Sequence, residues 1–374
     1  MDLPCADGLL GAWVRHAARR RPVEPLASLD LASVRRVLLV LTTGLGDAVL
    51  STPVFQAVRR ALPQARIALF VRGAWAPLFA AESDLDEVIP YPGKWRRFFA
   101  TLGRLRGFAP DLTLVLHGND PDILPLSYLA GSRHIVRVPT AGTRYGRLLS
   151  NLTREQDRTT VDGLHYIDNR LRVLDTVGIP AARRTPVIRC TGPQQQAARA
   201  WIAARLGERS YVVVHPYAAD SYKTWPAAQA GTFLAAALEQ RPELGFVLTG
   251  GKGEQAAAAA LAAGLPADRV AVAAGTFDIA GTAGLLAGAR AVIAPDTGLL
   301  HLAAALDVPT VGLYSPTQPA LVGPRAETAA AVALTQPVTC TPCEEKRCPH
   351  KPALCMAQFG AAEVLAALDR LATP

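Results

Sequence analysis

Asp296, Thr297, Gly298 and His301 stand where an apolar strand gives way to a helix, a placement that suits a bound phosphate. Arg290 to Ala294 reads as a short buried strand, and Leu299 to Leu306 carries helical apolar spacing with a run of alanines. The first backbone amides of such a helix have no partner within it, and the helix dipole is positive there. In an open α/β sheet this is also the end at which ligands bind. A phosphate or diphosphate fits both features. Asp296 and Thr297 are equally the residue types that cap helices, so a structural role stays open on the residues alone.

The segment has a counterpart near the other end of the chain. Arg36 to Leu41 reads as a strand, Thr42-Thr43-Gly44-Leu45-Gly46-Asp47 as a turn, and Ala48 to Leu62 as a helix. Strand, glycine turn and helix open a nucleotide-binding unit. The dinucleotide pattern fails, because Val49 occupies its third glycine position and Asp47 would set a carboxylate against the pyrophosphate. That argues against a dehydrogenase. A carboxylate exposed at a glycine turn can instead serve as a general base, or simply cap the helix.

Gly44-Leu45-Gly46-Asp47 with Ser51 to Pro63, Lys223-Thr224-Trp225-Pro226, Gly250-Gly251, Asp296 to Leu306 and Cys340-x2-Cys343-x4-Cys348-x6-Cys355 follow one another in a characteristic order. In these blocks the chain resembles the family 9 glycosyltransferases, the ADP-heptose:lipopolysaccharide heptosyltransferases. The resemblance runs from about Arg36 to near the C-terminus. It implies an α/β chain of the GT-B class, two Rossmann-like domains facing each other across a cleft. It also implies inverting transfer from a nucleotide-sugar, with ADP-heptose the leading donor and no metal or other cofactor, to a lipopolysaccharide core or related glycolipid.

Residue by residue, the resemblance makes Asp47 the base and Lys223 the phosphate contact. The amides of Thr297, Gly298 and Leu299 would hold the leaving diphosphate, Asp296 the donor sugar hydroxyls, and His301 the sugar or phosphate. Glu254 would contact the ribose, or serve as a first-turn acid favoured by the dipole. Phosphorylated or carboxylated acceptors give Lys94, Arg96, Arg97, Arg137, Arg144 and Arg147 an obvious use, and Pro139 to Gly146 reads as a loop able to cover the acceptor. His215-Pro216-Tyr217-Ala218-Ala219-Asp220 departs from the glycine-containing turn usual in relatives, which bears on the donor. Another nucleotide-sugar, or a binding protein with a degenerate site, are the other readings of the same residues.

A chain of 374 residues suits two α/β domains. Residues 1–33 form a basic amphipathic extension, 34–177 an N-terminal acceptor domain, 178–210 a linker rich in Pro and Gly, and 211–374 a nucleotide-sugar domain. Strands are expected at 37–41, 67–71, 88–91, 112–116, 211–215, 246–249, 270–273, 291–294 and 310–313. The formal charge is +8, largely from arginines, with no nucleic-acid module and little interleaving of aromatic with basic residues. A cytoplasmic protein is expected, since no apolar run reaches membrane-spanning length and no secretory signal opens the sequence. Leu9, Leu10, Trp13, Val14 and Ala17 share one helical face, with Arg15, Arg19 and Arg20 mostly on the other, which fits either peripheral contact with the inner membrane surface or packing on the protein itself.

Two D-x-D pairs, Asp84/Asp86 and Asp120/Asp122, could hold a divalent ion but read more simply as a turn and a helix start. Cys340, Cys343, Cys348 and Cys355 could form a structural metal site, although only the first pair has the C-x-x-C spacing that zinc favours. Reduced structural thiols are the simpler reading.

Overall fold

The computed structural model describes residues 6–138, 145–151, 163–341, 343 and 347–371, apart from the side chains of residues 6, 7, 9 and 10. Arg144, Cys5 and most of the loop expected at Pro139 to Gly146 lie outside the described residues. The chain divides into two units, Met1–Arg184 and Thr185–Pro374.

The first unit runs α1 (Ala6–Arg20), β1 (Arg36–Leu41), α2 (Leu45–Leu50), α3 (Thr52–Ala61), β2 (Arg66–Arg72), β3 (Glu87–Tyr91), α4 (Phe98–Phe108), β4 (Leu112–His117), α5 (Ile123–Leu129), β5 (His134–Arg137) and α6 (Tyr166–Val177). Its sheet has the order β3-β2-β1-β4-β5, with every pairing parallel. Val37, Leu38, Leu39 and Val40 of central β1 are fully buried, as strands covered on both faces must be. One core cluster joins Leu38, Val40 and Phe70 to Leu102 and Leu105 of α4 and Val14 of α1. The chain builds outward from β1 to β3, then returns to lay β4 on the other side of β1. Its topological switch point is therefore between β1 and β4.

The second unit runs α7 (Gly192–Leu206), β6 (Tyr211–Val214), α8 (Ala227–Gln240), β7 (Gly245–Leu248), α9 (Gln255–Ala262), β8 (Val270–Val272), α10 (Ile279–Ala287), β9 (Ala291–Pro295), α11 (Gly298–Ala305), β10 (Thr310–Leu313), α12 (Pro319–Val322), β11 (Ala331–Leu334) and α13 (Ala361–Arg370). The order β11-β10-β9-β6-β7-β8, again parallel throughout, puts its switch point between β6 and β9.

Two expectations change. The stretch 178–210 is not simply a linker, because α7 occupies its second half and buries Ala198, Ile202 and Leu206. Gly192-Pro193 looks like a helix breaker but forms the first turn, with Thr191 and Gln194 making a capping box. Gly284 of α10 lets α7 approach so closely that a Cβ there would lie 2.5 Å from Gln194 O. The short edge strands β5 and β11 were not expected. The helix α1 rests on its own unit: Val14 is buried and Ala17 and Ala18 pack on the same core.

Candidate active site

At the first switch point, the ends of β1 and β4 bring four polar side chains together. Gly44 caps α2, which places Asp47 in the helix's first turn, where the dipole favours an acid. Arg170 of α6 donates from Nη2 to Asp47 Oδ1 at 2.7 Å, and Thr43 Oγ1 donates to Asp47 Oδ2 at 3.0 Å. His117 Nδ1 lies 2.5 Å from Thr43 Oγ1 and 3.5 Å from Asp47 Oδ2. Since the Thr43 hydroxyl proton goes to Asp47, the imidazole must carry its proton on Nδ1 and donate to Thr43.

Burial pushes the Asp47 carboxyl upward, but His117, Arg170 and the hydrogen bonds from Thr43 and Arg170 outweigh it and hold the group below the usual carboxylate value. Burial and the nearby Arg170 and Arg137 hold His117 down at about 4, against the pull of Asp47. At neutral pH the site thus contains a carboxylate, a guanidinium and a neutral imidazole. Each Asp47 oxygen keeps lone pairs able to take a proton from a substrate hydroxyl. Trp75, just beyond β2, donates from Nε1 to Thr43 O at 3.0 Å and fixes the turn.

At the second switch point, a single 3-10 turn, Ser221–Lys223, delivers Lys223 from beyond β6 to Asp296 at the end of β9. Lys223 Nζ donates to Asp296 Oδ2 at 2.8 Å, and His301 Nε2 lies 3.5 Å from Asp296 Oδ1. Burial raises Asp296, yet His301 and Lys223 together bring it down to about 2. The same ion pair raises Lys223, although burial alone would lower it. Both charges are therefore maintained at neutral pH.

Thr297 occupies the N-cap of α11 without making a side-chain cap bond, so the simple capping role does not describe it. Its buried Oγ1 and the buried Nδ1 of His301 have no hydrogen-bond partner among the described residues. The amides of Gly298 and Leu299 likewise meet no acceptor there. Buried polar atoms are rarely left so, and a ligand supplying acceptor oxygens would satisfy them.

Of the residues singled out in the sequence, Asp47 lies in the first cluster, while Lys223, Asp296, Thr297, Gly298, Leu299 and His301 make up the second. Asp296 is turned toward Lys223 and His301. Glu254 lies before α9, where Oε2 accepts from the amide of Gly251 at 2.5 Å and closes the turn. Gly250 makes a close approach there, since a Cβ would sit 3.0 Å from Glu254 Cβ and 3.2 Å from the Tyr217 ring. Arg137 borders the first cluster and donates to Asn119 Oδ1 at 2.9 Å. Arg96 and Arg97 are exposed in the turn before α4 and make no side-chain hydrogen bond or ion pair among the described residues.

Both D-x-D pairs have a carboxylate committed to structure. Asp86 accepts from Arg59 at 2.5 Å and from the amide of Ile67 at 2.7 Å. Buried Asp122 accepts from Tyr91 Oη at 2.8 Å and the amide of Trp95 at 2.9 Å. Cys340, Cys343, Cys348 and Cys355 border one cavity of about 600 Å³ with His350. Among the described residues no three His, Cys, Asp or Glu side chains gather as a metal-ligand set. Cys355 belongs to the core, where burial pushes its thiol up.

Arg170 was not found from the sequence, since it meets Asp47 across 123 residues and its own helix gives no local sign of a site. His117 and Thr43 carried weaker signals, adjoining a strand end and a glycine turn.

Residues 135–354 match the model of "Glycosyltransferase family 9 (heptosyltransferase)". Lipopolysaccharide heptosyltransferase 1 of Pseudomonas aeruginosa is 31% identical over 337 residues, 85% of this chain and 88% of that protein. A family 9 glycosyltransferase of Veillonella parvula superposes with a TM-score of 0.74 at 18% identity, over 90% of this chain and 97% of that one. The E. coli ADP-heptose LPS heptosyltransferase II superposes at 0.70 and 21% identity, over 90% and 98%. The fold is GT-B in class, built from two Rossmann-like α/β units. The chain is a glycosyltransferase and belongs to family 9, the heptosyltransferase family.

Proposed function

We propose that the protein transfers heptose from ADP-heptose to a lipopolysaccharide-core acceptor, with inversion and without a metal, at the cytoplasmic face of a membrane. The observation that carries this reading is the pairing of chemistries at the two switch points: an ionised carboxylate in one, and an ion-paired lysine beside an unpartnered helix N-terminus in the other. The donor and acceptor classes rest on the printed names of the Pseudomonas and E. coli relatives.

Asp47 takes the proton from an acceptor hydroxyl as its oxygen forms a bond to the anomeric carbon. The bond from that carbon to the diphosphate breaks on the opposite face. Lys223, the amides of Gly298 and Leu299, Thr297 Oγ1 and His301 meet the charge that develops on the leaving diphosphate. Asp296 orients Lys223 and His301 and keeps free lone pairs for a sugar hydroxyl. Arg137 is the basic residue best placed to meet an acidic group on the acceptor, since it borders the Asp47 cluster.

The test is incubation with ADP-heptose, other ADP-sugars and UDP-sugars in the presence of a lipid-A-type acceptor, read by mass spectrometry. Addition of one heptose from ADP-heptose, with inverted anomeric configuration, is expected. Transfer only from a UDP-sugar would move the donor assignment, and no turnover with any donor would leave a binding protein.

A further inference from the structure

The first unit contains a second basic site, built by α1 against the turn Tyr145–Leu148. A cavity of about 580 Å³ is lined by Arg15, Arg19 and Arg147 and by the apolar side chains of Val14, Ala18 and Leu148. Among the described residues no carboxylate lines it, and the three arginines form no ion pair. Gly11 lets the helix come close, since a Cβ there would sit 3.0 Å from Tyr145 Oη. Three unneutralised guanidiniums beside an apolar wall match a phosphate ester joined to hydrocarbon better than a free anion, which has nothing to place against Val14 and Leu148. Trp13 is 41% exposed and shares a helical face with His16 and Arg20, so solvent-facing α1 also carries the aromatic and basic residues that settle at headgroup level.

We propose that this cavity captures the headgroup of an anionic phospholipid and so docks the protein on a bilayer surface. The site deepens the membrane placement given above, and rests on it only for the presence of a lipid surface. Val14, Ala17 and Ala18 of α1 remain on their own core, so docking works by headgroup capture and not by insertion of that face.

Flotation with phosphatidylcholine vesicles, with and without about one-third phosphatidylglycerol, tests it in the full-length protein. The protein should float with the anionic vesicles and remain behind with the neutral ones. Arg15→Gln/Arg19→Gln/Arg147→Gln should lower partition by roughly two orders of magnitude, the sum expected for three arginines at an anionic leaflet. Arg199→Gln/Arg209→Gln/Arg290→Gln removes the same charge from the second unit and should change partition by less than about threefold if the site is local. Arg19→Glu, which reverses an exposed charge at the cavity's edge, should also strongly lower flotation while leaving the melting temperature near wild type.

Equal losses in the two triple variants would reduce the effect to net charge and overturn the site. So would absent binding to anionic vesicles, or release of bound protein by millimolar inorganic phosphate at constant ionic strength. Flotation needs neither donor nor acceptor, so its failure and a failure of heptose transfer are read separately.

Discussion

Asp47 is held by a buried arginine and a threonine relay, which fixes both its direction and its charge. Asp47→Asn should bind a nucleoside diphosphate almost normally while kcat falls by about two to four orders of magnitude, the usual loss for a general base. Unchanged turnover in that variant removes Asp47 from the chemistry. Arg170 lowers the carboxyl, so Arg170→Gln should raise it and carry the acid limb of kcat/KM toward higher pH. Arg170→Lys should restore part of the charge effect but not the geometry. A pH profile that does not move in Arg170→Gln would confine that residue to packing.

His117 gives a stability prediction of its own. Its folded value near 4 lies below the ordinary 6.5, so between those values the unfolded chain binds the extra proton. The contribution is complete above pH 6.5 and is lost as pH falls toward 4, by up to about 3 kcal/mol. Denaturant unfolding across that interval should show the slope, and His117→Gln should flatten it.

At the scale of elements, the strand-to-helix turn at β9 and α11 is a charged assembly and not a cap. Loss of a cap costs about 1 kcal/mol. Asp296→Ala instead strands Lys223 as a part-buried cation and should cost about 2–4 kcal/mol, with much of it recovered in Lys223→Ala/Asp296→Ala. Lys223→Ala alone should weaken nucleoside diphosphate binding by roughly ten- to a hundredfold in calorimetry, the share expected of one charge-assisted contact. Additive losses in the double variant would show that the two residues act independently.

Which elements were legible follows from burial. The central strands, covered on both faces, read as continuous apolar runs, and β10 lies where the sequence places it, at Thr310–Leu313. Two of the edge strands lack that signature: β11 buries only Leu334 of its four residues, and β5 is a four-residue piece ending in Arg137. The helix α7 was hidden by its own cap, because Gly192 and Pro193 signal a break unless Thr191 and Gln194 are read with them. Asp47, Lys223 and the Asp296 turn were legible because each sits beside a local motif. Arg170 was not, since its role exists only once α6 is laid against α2.

At the scale of the molecule, one plan serves two chemistries, and this bears on metal dependence. Each unit sets its polar cluster at a sheet switch point, with an ionised carboxylate in the first and cationic and dipolar groups in the second. A leaving diphosphate needs its growing charge met by something. In the second unit Lys223, the α11 amides and the helix dipole are already arranged to do so, with Asp296 keeping the lysine charged and in place. One carboxylate of each D-x-D pair is otherwise engaged: Asp86 with Arg59, and Asp122 with Tyr91 and Trp95. Transfer should therefore survive EDTA and gain little from added magnesium or manganese, and it should fall steeply in Lys223→Ala with or without those ions. An assay in which EDTA abolishes transfer and only a divalent cation restores it would take the leaving group away from Lys223 and return it to a carboxylate pair.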